Sequence, residues 1–323
     1  MALPQGPTIV SGSAQIVQKS PQELDVIQKS QNLILNFNQF SVGAGETVRF
    51  VQQPSFTALD RVTGGMASFI NGNLFADGRL IIVNPSGILF GPQANVQVGS
   101  IIASTANISN QNFLAGNYAF NLPGKANAAV VNQGNISVAD SGIAAFVAPG
   151  VANSGVINAR LGKVALASGN QFYLDLYGDQ LVNLAVGDKV IERAVGADGT
   201  TLNAAVSNSG KIVADGGVVQ LTATAAKGLV DTAINMSGVI QAESVAQANG
   251  TIVLSGGGGA VNVAGLLDAS GKGAGETGGV AKVLGDTVTL GSGAKIDVSG
   301  DAGGGLALVG GNFHGAGPEQ NAT

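Results

Sequence analysis

Between Leu80 and Ile102 the chain runs in short apolar bursts broken by turns: Leu80 to Val83, Ile88 to Phe90, Val96 to Val98, then Ile101 and Ile102. Bursts of this length, rich in β-branched residues, predict strands rather than helices. Asn84-Pro85-Ser86-Gly87 suits a type I turn: Asn accepts a backbone hydrogen bond at the first position, Pro fixes φ at the second, and Gly relieves the fourth. A chain that turns so tightly between strands is coiling. Upstream, residues 8–50 alternate apolar and polar in several places, as in Ala14-Gln15-Ile16-Val17 and Leu33-Ile34-Leu35-Asn36-Phe37, which predicts half-buried strands. A stack of coils has an open end that needs covering, and this segment is assigned as that cap and the first coils. Phe37, Phe40, Phe50 and Phe56 are expected to stack inside.

From about residue 128 the pattern repeats openly, in VNQGNISVAD (131–140), ANSGVINARLGKVALASG (152–169), SNSGKIVADGGVVQLTA (207–223), NMSGVIQAE (235–243), NVAGLLDAS (262–270) and LGSGAKIDVSG (290–300). The glycines of these phrases, Gly134, Gly155, Gly210, Gly238, Gly265 and Gly293, are spaced by 21, 55, 28, 27 and 28 residues. A period near 27 holds three short strands and three turns, one coil of a parallel β-helix. Strand spacing of about 4.8 Å per coil makes some ten coils a rod roughly 50 Å long. Within the long interval, QFYLDLYGDQLVNLAVGDKVIERAVGADGTTL (171–202) is denser in charge and carries turn signals at Gly178-Asp179 and Gly187-Asp188. It is expected to leave the coil as a strand excursion. Gly256 to Gly259 and Gly271 to Gly279 read as corners and a loop of later coils. The fold class predicted is thus all-β, a right-handed parallel β-helix with an N-terminal β cap and extra-helical strand excursions.

Composition narrows the function. Among 323 residues there are 50 Gly, 11% charged residues, no Trp and no Cys, an unusual balance for an enzyme, and no apolar run approaches the eighteen residues of a membrane helix. The formal charge of −5 leaves no basic footprint for nucleic acid or anionic lipid. Without cysteine there are no disulfides, no Cys-ligated zinc and no thiol catalysis. The sole histidine, His314, has no second His or Cys to join it in a metal site or a triad. The glycine-rich phrases match neither GxxxxGK[ST] nor a GxGxxG between strand and helix, and the GGxGxD calcium repeat is missing despite Ser299-Gly300-Asp301. No catalytic residue, metal or cofactor is assigned. A β-helical polysaccharide-cleaving enzyme would need paired carboxylates on one face, whereas Asp140, Asp215, Asp268 and Asp297 fall at repeat ends, where Asp supports turns. Sequons begin at Asn107, Asn135, Asn235, Asn249 and Asn321, most of which the Asn, Ser and Thr content explains by chance.

LDRVTGG (59–65), NPSGILFG (84–91) and VGSIIAST (98–105) together resemble the secretion domain of two-partner secretion exoproteins, the filamentous haemagglutinin-like adhesins. The family pattern reads LNRV and NPNGI, so Asp60 and Ser86 each depart from it, and in place of the upstream NPNL of some members stands Gln52-Gln53-Pro54-Ser55. That absence places the chain nearer the high-molecular-weight adhesin subgroup. The resemblance implies recognition by the periplasmic modules of a cognate outer-membrane β-barrel transporter. It puts the recognition motif at Asn84, Pro85, Ser86, Gly87 and Ile88, supported by Leu59, Asp60, Arg61 and Val62. The alternative for 84–88 is a turn that only sets a coil corner. An exposed edge strand is a further means of recognition, by strand addition.

The division expected is 1–50 for the cap and first coils, 51–170 for the core of the secretion domain, 171–205 for the excursion and 206–323 for further repeats. Met1 reads as an added start on a mature sequence, and the chain as the N-terminal fragment of a longer protein secreted to the medium or cell surface. By the same resemblance the full-length protein is an adhesin for a host-cell receptor or a polysaccharide. The alternatives are a cytolysin or contact-dependent inhibition toxin and, from a different class, the polysaccharide-cleaving enzyme.

Overall fold

The computed structural model describes residues 3–176, 181–185, 189–224, 229–230 and 232–323. Parallel strands stack in three faces around one apolar interior. The first face runs in register from Glu23–Gln28 to Lys295–Asp297. The second runs from Asn32–Phe37 to Leu306–Val309. The third, an 8-stranded sheet, runs from Ser68–Ile70 to Thr287–Leu290. Successive residues point alternately in and out, so columns such as Leu35, Ile82, Ala103, Phe146 and Leu166 line up inside.

The bursts that looked separate near residue 100 are one strand. Asn73–Val83 and Asn95–Ser104 each pass unbroken from the first face to the second, bending at Gly78 and Gly99. At Gly99 a Cβ would come within 2.6 Å of the Gly78 carbonyl oxygen, so neither strand needs a loop, only a residue without a side chain.

The repeat glycines have the same cause. They stack at the corner between the third and first faces, where a Cβ on Gly155, Gly210, Gly238 or Gly265 would lie 2.2, 2.1, 2.1 or 1.9 Å from the carbonyl oxygen of the glycine one coil earlier. Close approach of backbones excludes any side chain. Gly293 departs from the column, a Cβ there meeting the Ala264 carbonyl oxygen at 2.8 Å. Just ahead of this corner Asn132, Asn153 and Asn208 form a buried ladder, each amide donating to the next at 2.7 Å, and Asn208 ends it on the Met236 sulfur.

At the N-terminal end Thr8–Ser11 lies antiparallel on Asn32–Phe37, and Ala14–Ser20 lies antiparallel on Glu23–Gln28. This reversal caps the stack and leaves two edge strands in solvent, carrying the exposed Ile9, Val10 and Val17. Phe37, Phe40 and Phe50 are fully buried, but Phe56 is half-buried and belongs to no interior column.

Insertions leave the coil at one corner, between the second and third faces. The expected excursion after residue 170 is there, with Phe172–Leu174 antiparallel to Val182–Leu184, while its anticipated turns at Gly178-Asp179 and Gly187-Asp188 lie outside the described residues. An earlier, first insertion, 106–128, escaped the sequence reading. It holds a short helix, Asn110–Leu114, capped by Ser109, and a strand, Ala119–Phe120, that pairs with Phe172–Leu174. The rings of Phe120 and Phe172 stack at 4.5 Å. Both insertions lie over the outer side of the second face and bury a second apolar core there, built on Ile34, Leu59, Ile81, Ile102, Ala145 and Ala165. Farther along, Ala194, Ala197 and Leu202 cover Ala129 and Val131 on the outer side of the third face.

Candidate functional site

The two sequence motifs come together. Thr57–Val62 pairs in parallel with the 79–83 part of the next coil, setting Arg61 beside Val83, so the segments that follow, 63–67 and 84–87, are adjacent turns at the insertion corner.

Asn84 holds these turns to each other. Its side chain is buried, donates at 2.9 Å both to the Met66 carbonyl and to Ser68 Oγ, and accepts from the Ser86 amide at 2.9 Å. The Gly87 amide donates to the Asn84 carbonyl at 3.0 Å, closing the turn that the sequence predicted. Gly87 sits at φ +104, open to glycine alone at low cost. Ser86 Oγ donates to the Gly65 carbonyl at 2.7 Å, and the Lys125 amide donates to the Pro85 carbonyl at 2.9 Å, tying the turn to the end of the 106–128 insertion. Asn84, Gly87 and Ile88 are buried; only Pro85 and Ser86 are partly open to solvent. The VGSIIAST phrase enters here as well, since the Ser104 carbonyl accepts from the Asn84 amide at 3.0 Å.

In Leu59-Asp60-Arg61-Val62 the side chains alternate. Leu59 points outward into the second core, and Val62 points into the helix interior. Arg61 points outward and grips the first insertion: Nε donates to Asn107 Oδ1 at 2.8 Å, Nη1 to Asn110 Oδ1 at 2.6 Å and Nη2 to the Ile108 carbonyl at 2.6 Å. Burial pulls its guanidinium down from the usual arginine value without a carboxylate to compensate. Asp60 points inward and is completely buried, with no hydrogen-bond partner on either carboxyl oxygen. Burial pushes its acid group well above the ordinary carboxylate range, so the folded state favours the neutral acid.

The motif is therefore a brace. It fixes three successive exits from the second face, and among the described residues it meets no His, Cys, Asp or Glu cluster able to hold a metal ion. Several of its parts were not legible beforehand: Ser68, the Gly65 and Met66 carbonyls, Asn107, Asn110 and Lys125. Gly65 had drawn notice only as the end of LDRVTGG, and Asn107 only as a sequon; the Asn107 amide oxygen instead accepts from Arg61 and from the Ile108 amide. Beside the brace, on the outer side of the third face, Phe69, Leu89 and Pro92 line an apolar cavity of about 190 Å³.

The fold and the site together define a capped parallel β-helix whose motif brace and insertions share one corner. The chain belongs to the TPS secretion domain family, whose sequence model matches residues 1–269. It is similar to the solved HMW1 secretion domain from Haemophilus influenzae, at 29% identity and a TM-score of 0.81, over 99% of this chain and 80% of that one. The filamentous hemagglutinin secretion domain shares the fold, at 17% identity and a TM-score of 0.51 over 99% of this chain and 100% of that one. Two heme/hemopexin-binding proteins of Haemophilus influenzae are similar in sequence. One, from strain Rd, is 29% identical over 61% of this chain, and the other 28% identical over 78%. The matches span only 22% and 28% of those two relatives. No helix of the described residues is long and apolar enough to cross a membrane.

Proposed function

We propose that this chain directs export of a large exoprotein by engaging a cognate outer-membrane β-barrel transporter, and that it then nucleates folding of the β-helix outside the cell. The observation that carries the reading is the TPS secretion domain match over residues 1–269. Asn84 to Ile88, with Leu59 to Val62 behind them, serve recognition mainly by holding the corner in shape, because only Pro85 and Ser86 of the turn are partly open to solvent. The exposed Ala14–Ser20 edge offers the transporter's periplasmic modules a strand to extend. The four-part division into cap, core, excursion and further repeats follows the same logic, with the working corner inside 51–170. The mature protein, freed of its signal peptide, is released or displayed at the bacterial surface.

For the whole protein we propose adhesion to a host-cell receptor or polysaccharide. A second reading, capture of heme or hemopexin, is favoured by the names of the two sequence relatives. Both activities are assigned to the full-length protein and not to the secretion domain.

The test is secretion of this chain, with a signal peptide restored, from cells with or without the partner barrel, alongside Asn84→Ala and Gly87→Ala. Release only with the barrel is expected, with reduced release of variants that still fold. Retention in the periplasm with every partner tried would overturn the export role.

A further inference from the structure

Asp60 stands where the pattern of the coil calls for an apolar side chain. In register it lies between Leu35 of the preceding coil and Ile82 of the following one. The strands on either side also turn Leu33, Phe37 and Leu80 inward, and its own strand turns in Ala58 and Val62. The inward residues of the facing strands, Val48, Phe50, Leu74 and Ala76, are apolar too. No titratable or charged group faces the carboxyl from any of these strands. Arg61 points outward to 107–110, Arg79 outward to the Tyr118 hydroxyl, and Arg49 outward over the Phe75 ring. A carboxylate so enclosed would have neither water, nor a hydrogen-bond donor, nor a counter-charge, and the acid form is much the less costly to bury.

We propose that docking of the Thr57–Val62 strand is coupled to uptake of one proton at Asp60, which makes closure of the N-terminal coils sensitive to pH. In the unfolded chain Asp60 ionises near the ordinary aspartate value of about 3.9, whereas in the folded coil it keeps its proton to higher pH. The folded state then binds more protons than the unfolded state over that window. The stabilising contribution is complete below the unfolded value and is lost as pH rises toward the folded one, by up to about tenfold in the folding constant per pH unit. The proton comes from solvent and no bond other than O–H is made. If the chain is exported as proposed above, a charged Asp60 opposes premature docking of the motif strand during transit.

The experiment is denaturant unfolding of the whole chain between roughly pH 4.5 and 7.5, for the natural protein, Asp60→Asn and Asp60→Leu. The ratio of folding constants, natural over Asn variant, is expected to fall by more than threefold as pH rises across the window, with a slope of up to about tenfold per pH unit as linkage of one proton allows. The Leu variant should follow the Asn variant in slope. A ratio that changes less than threefold overturns the proposal. Should either variant not fold, the carboxyl carbon resonance of Asp60 in the natural protein decides. Titration of that resonance above the ordinary aspartate range supports the coupling, and titration within that range in the folded protein refutes it. None of these outcomes depends on a transporter, so failure here is separable from failure of the export role.

Discussion

The motif coils and the repeat coils share one architecture but bury it differently. In the motif coils Thr57–Val62 and the 80–83 stretch of the next second-face strand are buried at every position, because insertions cover their outer side. In the repeat coils Thr251–Ser255 alternates between buried and half-buried residues, as does Val280–Leu284 up to Val283, and neither strand contributes to the second apolar core. Strands buried on one side keep the period of two that marks them in sequence, and strands buried on both sides lose it. The family motif lies in the doubly buried part. Its polar residues, Asn84, Arg61 and Asp60, are thus enclosed and costly to disturb, whereas the charged residues of the repeat coils lie mostly at the surface.

The largest expected effect tests the repeat side. Gly210→Ala would force a Cβ to within 2.1 Å of the Gly155 carbonyl oxygen, and Gly45→Ala, at φ +79, meets nothing within 4 Å. We expect about 3 kcal/mol or more of destabilisation for the first and roughly 1–2 for the second, from backbone strain alone, read by denaturant unfolding. Equal losses would mean that the glycine column does not set the corner.

Next comes the brace itself. Arg61→Ala leaves Asn107, Asn110 and the Ile108 carbonyl without their donors, at an expected cost of about 2–4 kcal/mol and with faster proteolysis within 106–128. The comparison is Arg160→Ala. It breaks a 2.6 Å ion pair to Asp140 whose side chains are 55% and 63% exposed, and it should cost below about 1 kcal/mol. If the two variants are equally stable, enclosure of the motif coils is not what makes their polar contacts matter.

Asn84→Ala removes two donated bonds and one accepted bond at a buried site, an expected loss of about 1–3 kcal/mol by the same unfolding assay. The smallest effect is expected at Asp297 in the open repeat region. Bonds from the Ser299 hydroxyl and amide, with Lys295 beside it, bring its acid down to about 2. A lowered acid stabilises the fold above the ordinary carboxylate value and loses that contribution as pH falls toward 2, the reverse of Asp60. The Asp297 side chain is half-buried at the surface with water screening its charge, so Asp297→Asn should flatten the acid limb of a melting-temperature profile only slightly.

The sequence by itself determined the coil. Tight turns such as Asn84 to Gly87, a repeat near 27 residues and the glycines at fixed places in each phrase require a stack of short parallel strands, because each of these signals is local. An N-terminal β cap, though not its antiparallel pairing, and the excursion after residue 170 were legible from local patterns too. The insertion at 106–128 was not legible: its strand finds its partner more than fifty residues away, in the second insertion, and only that pairing makes it one. Tertiary structure alone decided that the two insertions share a corner, that Arg61 serves Asn107 and Asn110, and that Asn84 serves the 63–68 turn. It also decided the setting of Asp60. In sequence this is one acid between Leu59 and Arg61, and only the stacking of Leu35 and Ile82 against it removes the water that would have kept it an ordinary carboxylate.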